Sequence, residues 1–343
     1  MTPGGENISR FWLASPPPSG REAIAVIEIS GDARRTLEML GIKAVASGAY
    51  GLRSLGGIDD GLVAVWDEGR ATLMPHGGPA VVATILEWLV DRGLKPASDA
   101  AALTRFPEAR DEIEAEMLAA LAHTRSPMAV PLLLEQPRRW REHLLDQSLS
   151  DMAADADVKR HSEGLGALLH EPLVALAGRP NMGKSTMLNA LAKDAVSIVA
   201  DERGTTRDYV GVGVLLAGLA VRVIDTPGLD GPASCGDEAT IDLAAARAAM
   251  SLLASAALIV SCGDPTTPPL SAAELGVTAE RVVTVCLRSD LLTTPMIPWA
   301  NESSPDCVVS CHSGQGLEHL SNAVRDRLVA PSRLANTLPW KFW

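Results

Sequence analysis

An excess of basic residues is the first thing this sequence lacks: 30 Lys and Arg stand against 42 Asp and Glu, a formal net charge of −12. That balance excludes a protein that coats nucleic acid by phosphate neutralisation, which needs cations to displace counterions. Any RNA contact must be local, and the best cluster is Arg138, Arg139, Arg141 and His143, although a short basic run is more often a solvated helix face. Cysteine is sparse. Cys235, Cys262, Cys286, Cys307 and Cys311 form no CxxC pair and no His cluster at metal-ligand spacing, so neither zinc nor a disulfide framework is expected and core packing is their default role. No charged segment followed by an apolar core marks a secretory signal. The longest apolar stretch, Leu243 to Cys262, carries Arg247 and reads as a helix running into a buried strand rather than a membrane span. A cytoplasmic protein is expected. Internal repeats and low-complexity segments are also missing.

What is present is enough apolar sequence for two cores: 47% of 343 residues are hydrophobic and 21% charged. Ala23 to Ser30 (AIAVIEIS) predicts a half-buried strand, and Gly31-Asp32 opens a helix through Leu40. Gly61 to Met74 predicts strand with a turn at Glu68-Gly69, and Pro79 starts a helix ending at Gly93. These make a small α+β domain over 1–96. Over 97–169 strand signals vanish, and Asp111 to His123 and Arg138 to Leu149 predict a helical connector broken at Pro127, Pro131 and Pro137. From Pro172 the pattern changes to strands at Leu173–Ala177, Gly211–Leu216, Ala220–Asp225, Ala257–Cys262, Arg281–Leu287 and Cys307–Ser310. Most are separated by helical stretches such as Lys184–Lys193 and Glu238–Ala254, with a last helix at Leu317–Leu328. Such alternation predicts an α/β doubly wound sheet over 170–331, followed by an aromatic tail over 332–343.

Between the first strand and helix of that sheet lies Gly178-Arg179-Pro180-Asn181-Met182-Gly183-Lys184-Ser185, with Thr186 following. A triphosphate carries several charges in a small volume, and a glycine-rich loop before a helix aims backbone N–H groups at it. Lys184 reaches the terminal phosphates, and the Ser185 hydroxyl can ligate magnesium. Downstream, Gly204-Thr205-Thr206-Arg207-Asp208 sits in a polar loop where a threonine hydroxyl and carbonyl could close over magnesium and the γ-phosphate. Val223-Ile224-Asp225-Thr226-Pro227-Gly228 ends a strand with an aspartate suited to magnesium's water shell, or to capping the strand end, and a glycine whose N–H can meet the γ-phosphate. The three motifs in this order point to a nucleoside triphosphatase of the P-loop GTPase type.

GRPNMGKSTMLNALAKDAVSIVADERGTTRDYV, followed by VIDTPGL, closely resembles the G domain of the bacterial tRNA-modification GTPase family MnmE (TrmE) and its Era-like relatives. LASPPPSGREAIAVIEISGDA and LMPHGGPAVVATILEWLVDRG resemble that family's folate-binding domain in order and spacing. The resemblance implies that Asn181 helps bind a potassium ion, completed by backbone carbonyls of the loop ending at Thr205, in which Ala200 and Glu202 lie. It also implies that Ser185 and Thr206 hold magnesium, and that Glu238 or Asp237 orients the attacking water. An acidic pair near a helix start also suits the helix dipole.

Guanine recognition departs from the family pattern. Where the family has Asn-Lys-x-Asp, this chain has Leu287-Arg288-Ser289-Asp290. Asp290 can accept from the ring N–H and exocyclic amine of guanine, and hydrogen bonds to a charged group contribute about 1.5–3 kcal/mol each. Leu287 forfeits a neutral bond of about 0.5–1.5 kcal/mol, so weakened affinity with guanine preference kept is expected. Arg288 can lay its stem or guanidinium plane over the base. Ser310-Cys311-His312 stands where the family's Ser-Ala-Lys loop contacts the base, and its N–H groups could serve the guanine O6.

The tRNA machinery departs further. Glu28 precedes Ile29-Ser30-Gly31 where the family has a folate-binding arginine, and Thr72 stands where it has a glutamate, although His76-Gly77-Gly78 is retained. This sets formyl-tetrahydrofolate binding in doubt. The central helical region is short, and Leu338 to Trp343 shows no counterpart of the family's terminal cysteine motif. That aromatic tail suits packing on its own protein or docking on a partner. Expected from the resemblance, then, is a GTPase in tRNA wobble-uridine modification, with GTP and GDP, tRNA, an FAD-dependent partner protein and a second copy of the chain as partners. A nucleotide-dependent binding switch with little hydrolysis is the alternative; an ATPase is poorer, because Asp290 faces adenine's unsuitable edge.

Overall fold

The computed structural model describes residues 9–15, 23–97, 102–106, 108–144, 155–194, 211–226, 250–292, 296–300 and 304–343. The chain forms two compact units, one of Met1–Thr124, Leu133–Arg141 and Phe342–Trp343, the other of Arg125–Leu132 and Glu142–Lys341.

In the first unit the elements run β1 (Arg10–Leu13), β2 (Ile27–Ser30), α1 (Ala33–Met39), β3 (Ala49–Leu55), β4 (Asp59–Asp67), β5 (Arg70–Met74), α2 (Pro79–Asp91) and β6 (Lys95–Pro96). The strands form one sheet in the order β3-β4-β5-β2-β1-β6, antiparallel except for the β1–β6 pair. Strand alternation makes the core: Ile27 and Ile29 point to one face and are fully buried with Leu37, Leu73, Ile85 and Leu89, while Glu28 points to the other. Asp32 caps α1 by accepting from the Arg35 N–H at 2.9 Å, and Pro79 opens α2 where a missing N–H costs nothing. Strand β2 is shorter than the expected run from Ala23, whose early part makes only a bridge from Ile24 to His76. Three strands, β1, β3 and β6, escaped the sequence reading. β3 carries Gly51 and only one buried residue, and β6 is two residues long, so neither shows a hydrophobic period.

Three further helices follow, α3 (Ala102–Arg105), α4 (Glu112–His123) and α5 (Ala129–Leu144). Asp111 caps α4, accepting from the Glu114 N–H at 2.9 Å. The expected breaks at Pro131 and Pro137 are corrected, because α5 runs through both. Pro131 falls in the first turn, where an N–H has no helical acceptor; Pro137 costs one interior bond without ending the helix. The tail closes on this helix: the Trp343 ring lies 5.2 Å from that of Trp140, which is fully buried, and Phe342 meets Trp343 edge to face at 5.0 Å.

The second unit holds α6 (Ala156–Glu163), β7 (Leu173–Ala177), α7 (Lys184–Asp194), β8 (Val212–Leu216), β9 (Leu219–Asp225), β10 (Leu258–Gly263), β11 (Val282–Cys286), β12 (Cys307–Val308), α8 (Leu317–Leu328) and α9 (Pro331–Leu334). Residues 250–255 are helical, the far end of the expected Glu238–Ala254 helix, whose remainder lies outside the described residues. The sheet order is β12-β11-β10-β7-β9-β8, parallel except for the β8–β9 hairpin. Every residue of β10 is buried, as befits a strand covered on both faces. Because β7 lies between β10 and β9, the chain reverses its direction of strand addition there, and ligands of such sheets bind beyond the carboxyl ends at that point. Leu176 pairs with Asp225, so the loops after β7 and β9 leave the same edge side by side. Among the described residues no helix is long and apolar enough to cross a membrane.

Candidate nucleotide site

The loop from Gly178 to Gly183 turns through backbone conformations that side chains resist. Gly178 has φ +148° and a Cβ there would stand 2.4 Å from the Cys262 carbonyl oxygen; Gly183 has φ +93°. Asn181, at φ +62°, is one of few non-glycine residues in the left-handed region, which Asn tolerates better than most. The loop hands directly to α7, with the Met187 N–H donating to the Gly183 carbonyl at 2.9 Å. Its first N–H groups have no helical acceptor and carry the positive end of the helix dipole.

Lys184 is folded back over this loop and is 7% exposed. Its Nζ donates to the carbonyls of Gly178 at 3.0 Å and Arg179 at 3.1 Å. An ammonium has three donors, so the charge is fixed in place with one N–H left to aim into the cleft. That cleft has a volume of about 580 Å³ and is lined by Pro180 to Thr186, Asp225, Thr226 and Arg288. Asn181, Met182, Gly183, Lys184, Ser185, Thr186, Asp225 and Thr226 are thus brought together around one cleft.

Two of these side chains have partners that refine their roles. Ser185 Oγ donates to Asp225 Oδ2, while Asp225 Oδ1 is buried without a hydrogen-bond partner among the described residues. A buried carboxylate oxygen left unsatisfied is costly. A hydroxyl beside it, with that orphaned oxygen, is a donor set that fits a hard divalent cation such as magnesium. Thr226 is different: its hydroxyl donates to the Leu176 carbonyl at 2.6 Å and is 3% exposed as a residue, so the side chain locks β9 to β7.

Arg288, on the turn after β11, lines the cleft, and that turn meets the loop after β12. Asp290 Oδ1 accepts from Ser310 Oγ at 2.7 Å. That bond, with one from its own backbone N–H and the nearby charges of His312 and Arg288, holds the Asp290 carboxyl below its ordinary value, so it stays ionised. Ser310 is buried, Cys311 half-buried and His312 exposed. Leu287 is 1% exposed, and its Cδ1 would lie 3.7 Å from a Cβ built on Gly183, so a buried apolar side chain stands beside the phosphate loop. Arg288, at φ +56°, sends Nη2 to the Asn181 carbonyl and Nη1 to Asp264 Oδ2 at 3.5 Å. Asp264 was not singled out by sequence; an aspartate directly after a fully buried strand is the signal that could have found it.

Thr205, Thr206, Pro227, Gly228 and Glu238, with Ala200, Glu202 and Asp237, lie outside the described residues. Cys262, Cys286 and Cys307 are buried, and burial pushes their thiols up to about 12, 11 and 11, as suits packing residues. Among the described residues no His, Cys, Asp and Glu group is arranged to hold a metal ion by itself.

Glu28, Thr72 and His76 sit in the first unit. Glu28 is buried and its carboxylate is committed: Oε1 accepts from Thr72 Oγ1 at 2.8 Å and Oε2 from Arg70 Nε at 3.0 Å. Arg70 also reaches Glu108 at 3.1 Å, and the Trp66 indole donates to Thr72 Oγ1 at 2.7 Å. His76 faces Asp59, donating its N–H at 2.8 Å with Nδ1 at 2.8 Å from the other oxygen. Partial burial would raise the Asp59 pKa, but these bonds from His76 outweigh it and hold the carboxyl below its ordinary value.

The family model for 50S ribosome-binding GTPases matches residues 173–287, the span from β7 to the end of β11 and Leu287. The tRNA modification GTPase MnmE of Granulibacter bethesdensis is 33% identical, over 96% of this chain and 84% of its own length. The mitochondrial 5-taurinomethyluridine-[tRNA] synthase subunit GTPB3 of Rattus norvegicus is 30% identical, over 91% of this chain and 76% of its own. Among solved structures, the G domain of the T. maritima FeoB iron transporter is matched at 25% identity, covering 46% of this chain and 99% of that domain with a TM-score of 0.35. With a relative 33% identical spanned over 84% of its length, and a phosphate loop and an orphaned carboxylate around one cleft, this chain belongs to the MnmE family of tRNA modification GTPases.

Proposed function

We propose that this GTPase converts GTP to GDP and phosphate as a nucleotide-driven switch in tRNA wobble-uridine modification, with magnesium and potassium as its ions. The observation that carries this reading is Lys184, whose buried ammonium is pinned by two loop carbonyls at a helix N-terminus. Phosphoryl transfer to water asks little covalent chemistry of a protein and much positioning and charge. In this reading Lys184 and the first N–H groups of α7 sit against the phosphate oxygens, the Gly228 N–H meets the γ-phosphate, and Glu238 or Asp237 orients the water. Asp290 accepts from the guanine edge, with Ser310 holding its carboxylate and the Cys311–His312 backbone facing O6.

Ser185, Thr206 and Asp225 would hold magnesium, and Asn181 potassium with carbonyls of the loop ending at Thr205. When bound, such cations neutralise charge that develops on the phosphate oxygens. The names of the two relatives, a tRNA modification GTPase and a 5-taurinomethyluridine-[tRNA] synthase subunit, support a tRNA substrate; an FAD-dependent partner protein and pairing with a second copy through the N-terminal unit rest on the family resemblance. The test is GTP turnover in potassium against sodium, with Asn181→Ala. Potassium should accelerate turnover and the variant should abolish the difference; equal rates in both salts would remove potassium. A monomer by light scattering at micromolar concentration would remove the dimer.

One observation favours a second reading, a binding switch with little hydrolysis and no tRNA role: Leu287 and the internally satisfied Glu28 occupy positions where the family uses polar ligands. Single-turnover assays separate the two, since a pure switch would release intact GTP after many hours.

A further inference from the structure

The loop after β10 contributes no residue to the phosphate or base contacts described above, yet it is anchored with care. Asp264 is 7% exposed, and its two oxygens do different work. Oδ1 takes the Thr266 N–H at 2.9 Å, the Thr266 hydroxyl at 2.7 Å and the Thr267 N–H at 2.9 Å, which fix the turn. The Trp299 indole donates to the Asp264 carbonyl at 2.8 Å. Oδ2 faces Arg288 Nη1 at 3.5 Å. The other arm of that guanidinium donates to the Asn181 carbonyl in the phosphate loop. Arg288 stands two residues before Asp290 and in left-handed backbone, which aims its side chain back across the cleft. A planar guanidinium can serve two acceptors at once in fixed geometry, as an ammonium cannot.

We infer that Asp264 is a positioning residue for nucleotide binding: through Oδ2 it holds Arg288 in the pose that ties the base-reading turn to the Asn181 carbonyl, so base and phosphate seats are set as one unit. This rests on the nucleotide reading above. Asp264 touches no nucleotide. It acts through Arg288, and the arm of Arg288 on the phosphate loop holds Asn181 at a backbone angle that would otherwise be costly.

The division of labour between the two oxygens gives a clean variant. Asp264→Asn keeps an Oδ1 acceptor for Thr266 and Thr267 but turns an amide donor toward Arg288, so the turn stands while the pairing is lost. Titration of the whole chain with a fluorescent GDP should show affinity falling about threefold to tenfold, the range of one ion-paired hydrogen bond. Arg288→Ala should weaken binding by at least as much, and adding Asp264→Asn to it should change nothing further, because the two residues act in series. In steady-state turnover the KM for GTP should rise with kcat held, the mark of lost uniform binding. A merely structural Asp264 would instead lower the melting temperature and add its effect to that of Arg288→Ala. Additive losses, or unaltered affinity in Asp264→Asn when the parent chain binds GDP, would overturn the inference alone. Failure of the parent chain to bind GDP would overturn the nucleotide reading and this inference together.

Discussion

Thr72 Oγ1 donates to Glu28 Oε1 at 2.8 Å between the paired strands β5 and β2, at the two positions where the family's folate-binding charges are expected. Glu28 places a carboxylate at the first position, and Arg70, two residues from Thr72 along β5, supplies the cation to Glu28 Oε2. The three side chains form an internal network. Glu28→Ala would leave the Thr72 hydroxyl and part of Arg70 without acceptors in a site whose carboxylate is 8% exposed. Unfolding free energy in urea should fall by about 1–3 kcal/mol, the cost of orphaned buried donors, and by less in Glu28→Gln. Equal stability of the Ala variant would mean the network contributes nothing.

Lys184→Ala should reduce GTP turnover by about 100-fold or more, because it removes the fixed charge facing the phosphates. Lys184→Arg should not restore it, since the ammonium sits between two carbonyls in a space that leaves the residue 7% exposed. Single-turnover rates decide this, with a thermal melt to confirm that both variants fold.

Asp290 supplies a pH prediction. Its folded pKa lies below the ordinary 3.8, chiefly through the Ser310 hydroxyl. The stability gained from its ionised form is therefore complete above 3.8 and is lost as pH falls through the lowered folded value. Between pH 7 and 5 the carboxylate should remain charged and its contribution to GDP affinity flat. Ser310→Ala should move the folded pKa up toward the ordinary value, read by carboxyl carbon NMR, and weaken GDP binding. A titration that does not move would separate Ser310 from Asp290.

Trp343→Ala tests the tail. The lost ring contact with Trp140 should cost about 0.5–1.5 kcal/mol and red-shift tryptophan emission as Trp140 gains water. Unchanged emission and melting temperature would show that the contact at 5.2 Å is idle.

Much of the second unit was legible because its signals are local. Buried strands such as Leu173–Ala177 read as short apolar runs, and the phosphate loop sits where strand gives way to helix. The first unit was harder. β3 pairs with β4 through seven residues although only Leu55 of it is buried, so its pairing is a backbone matter that leaves no hydrophobic period. The two prolines within α5 misled for different reasons: Pro131 stands in the first turn, where the helix-breaking rule does not apply, and at Pro137 that rule gave way on a helix that buries Leu133 and Trp140.

The order of side chains along the chain determined the phosphate loop, the aspartate ending β9, the family and the departures at Glu28 and Leu287, because each is a matter of residue type at a fixed spacing. Which groups those residues satisfy was decided by tertiary structure alone. Thr226 looked like a ligand and bonds the Leu176 carbonyl; Arg288 looked like a lid for the base and reaches Asn181 and Asp264, 107 and 24 residues away. A hydrogen bond depends on where two atoms end up, and a strand order that sets β7 between β10 and β9 brings together loops that the sequence keeps far apart.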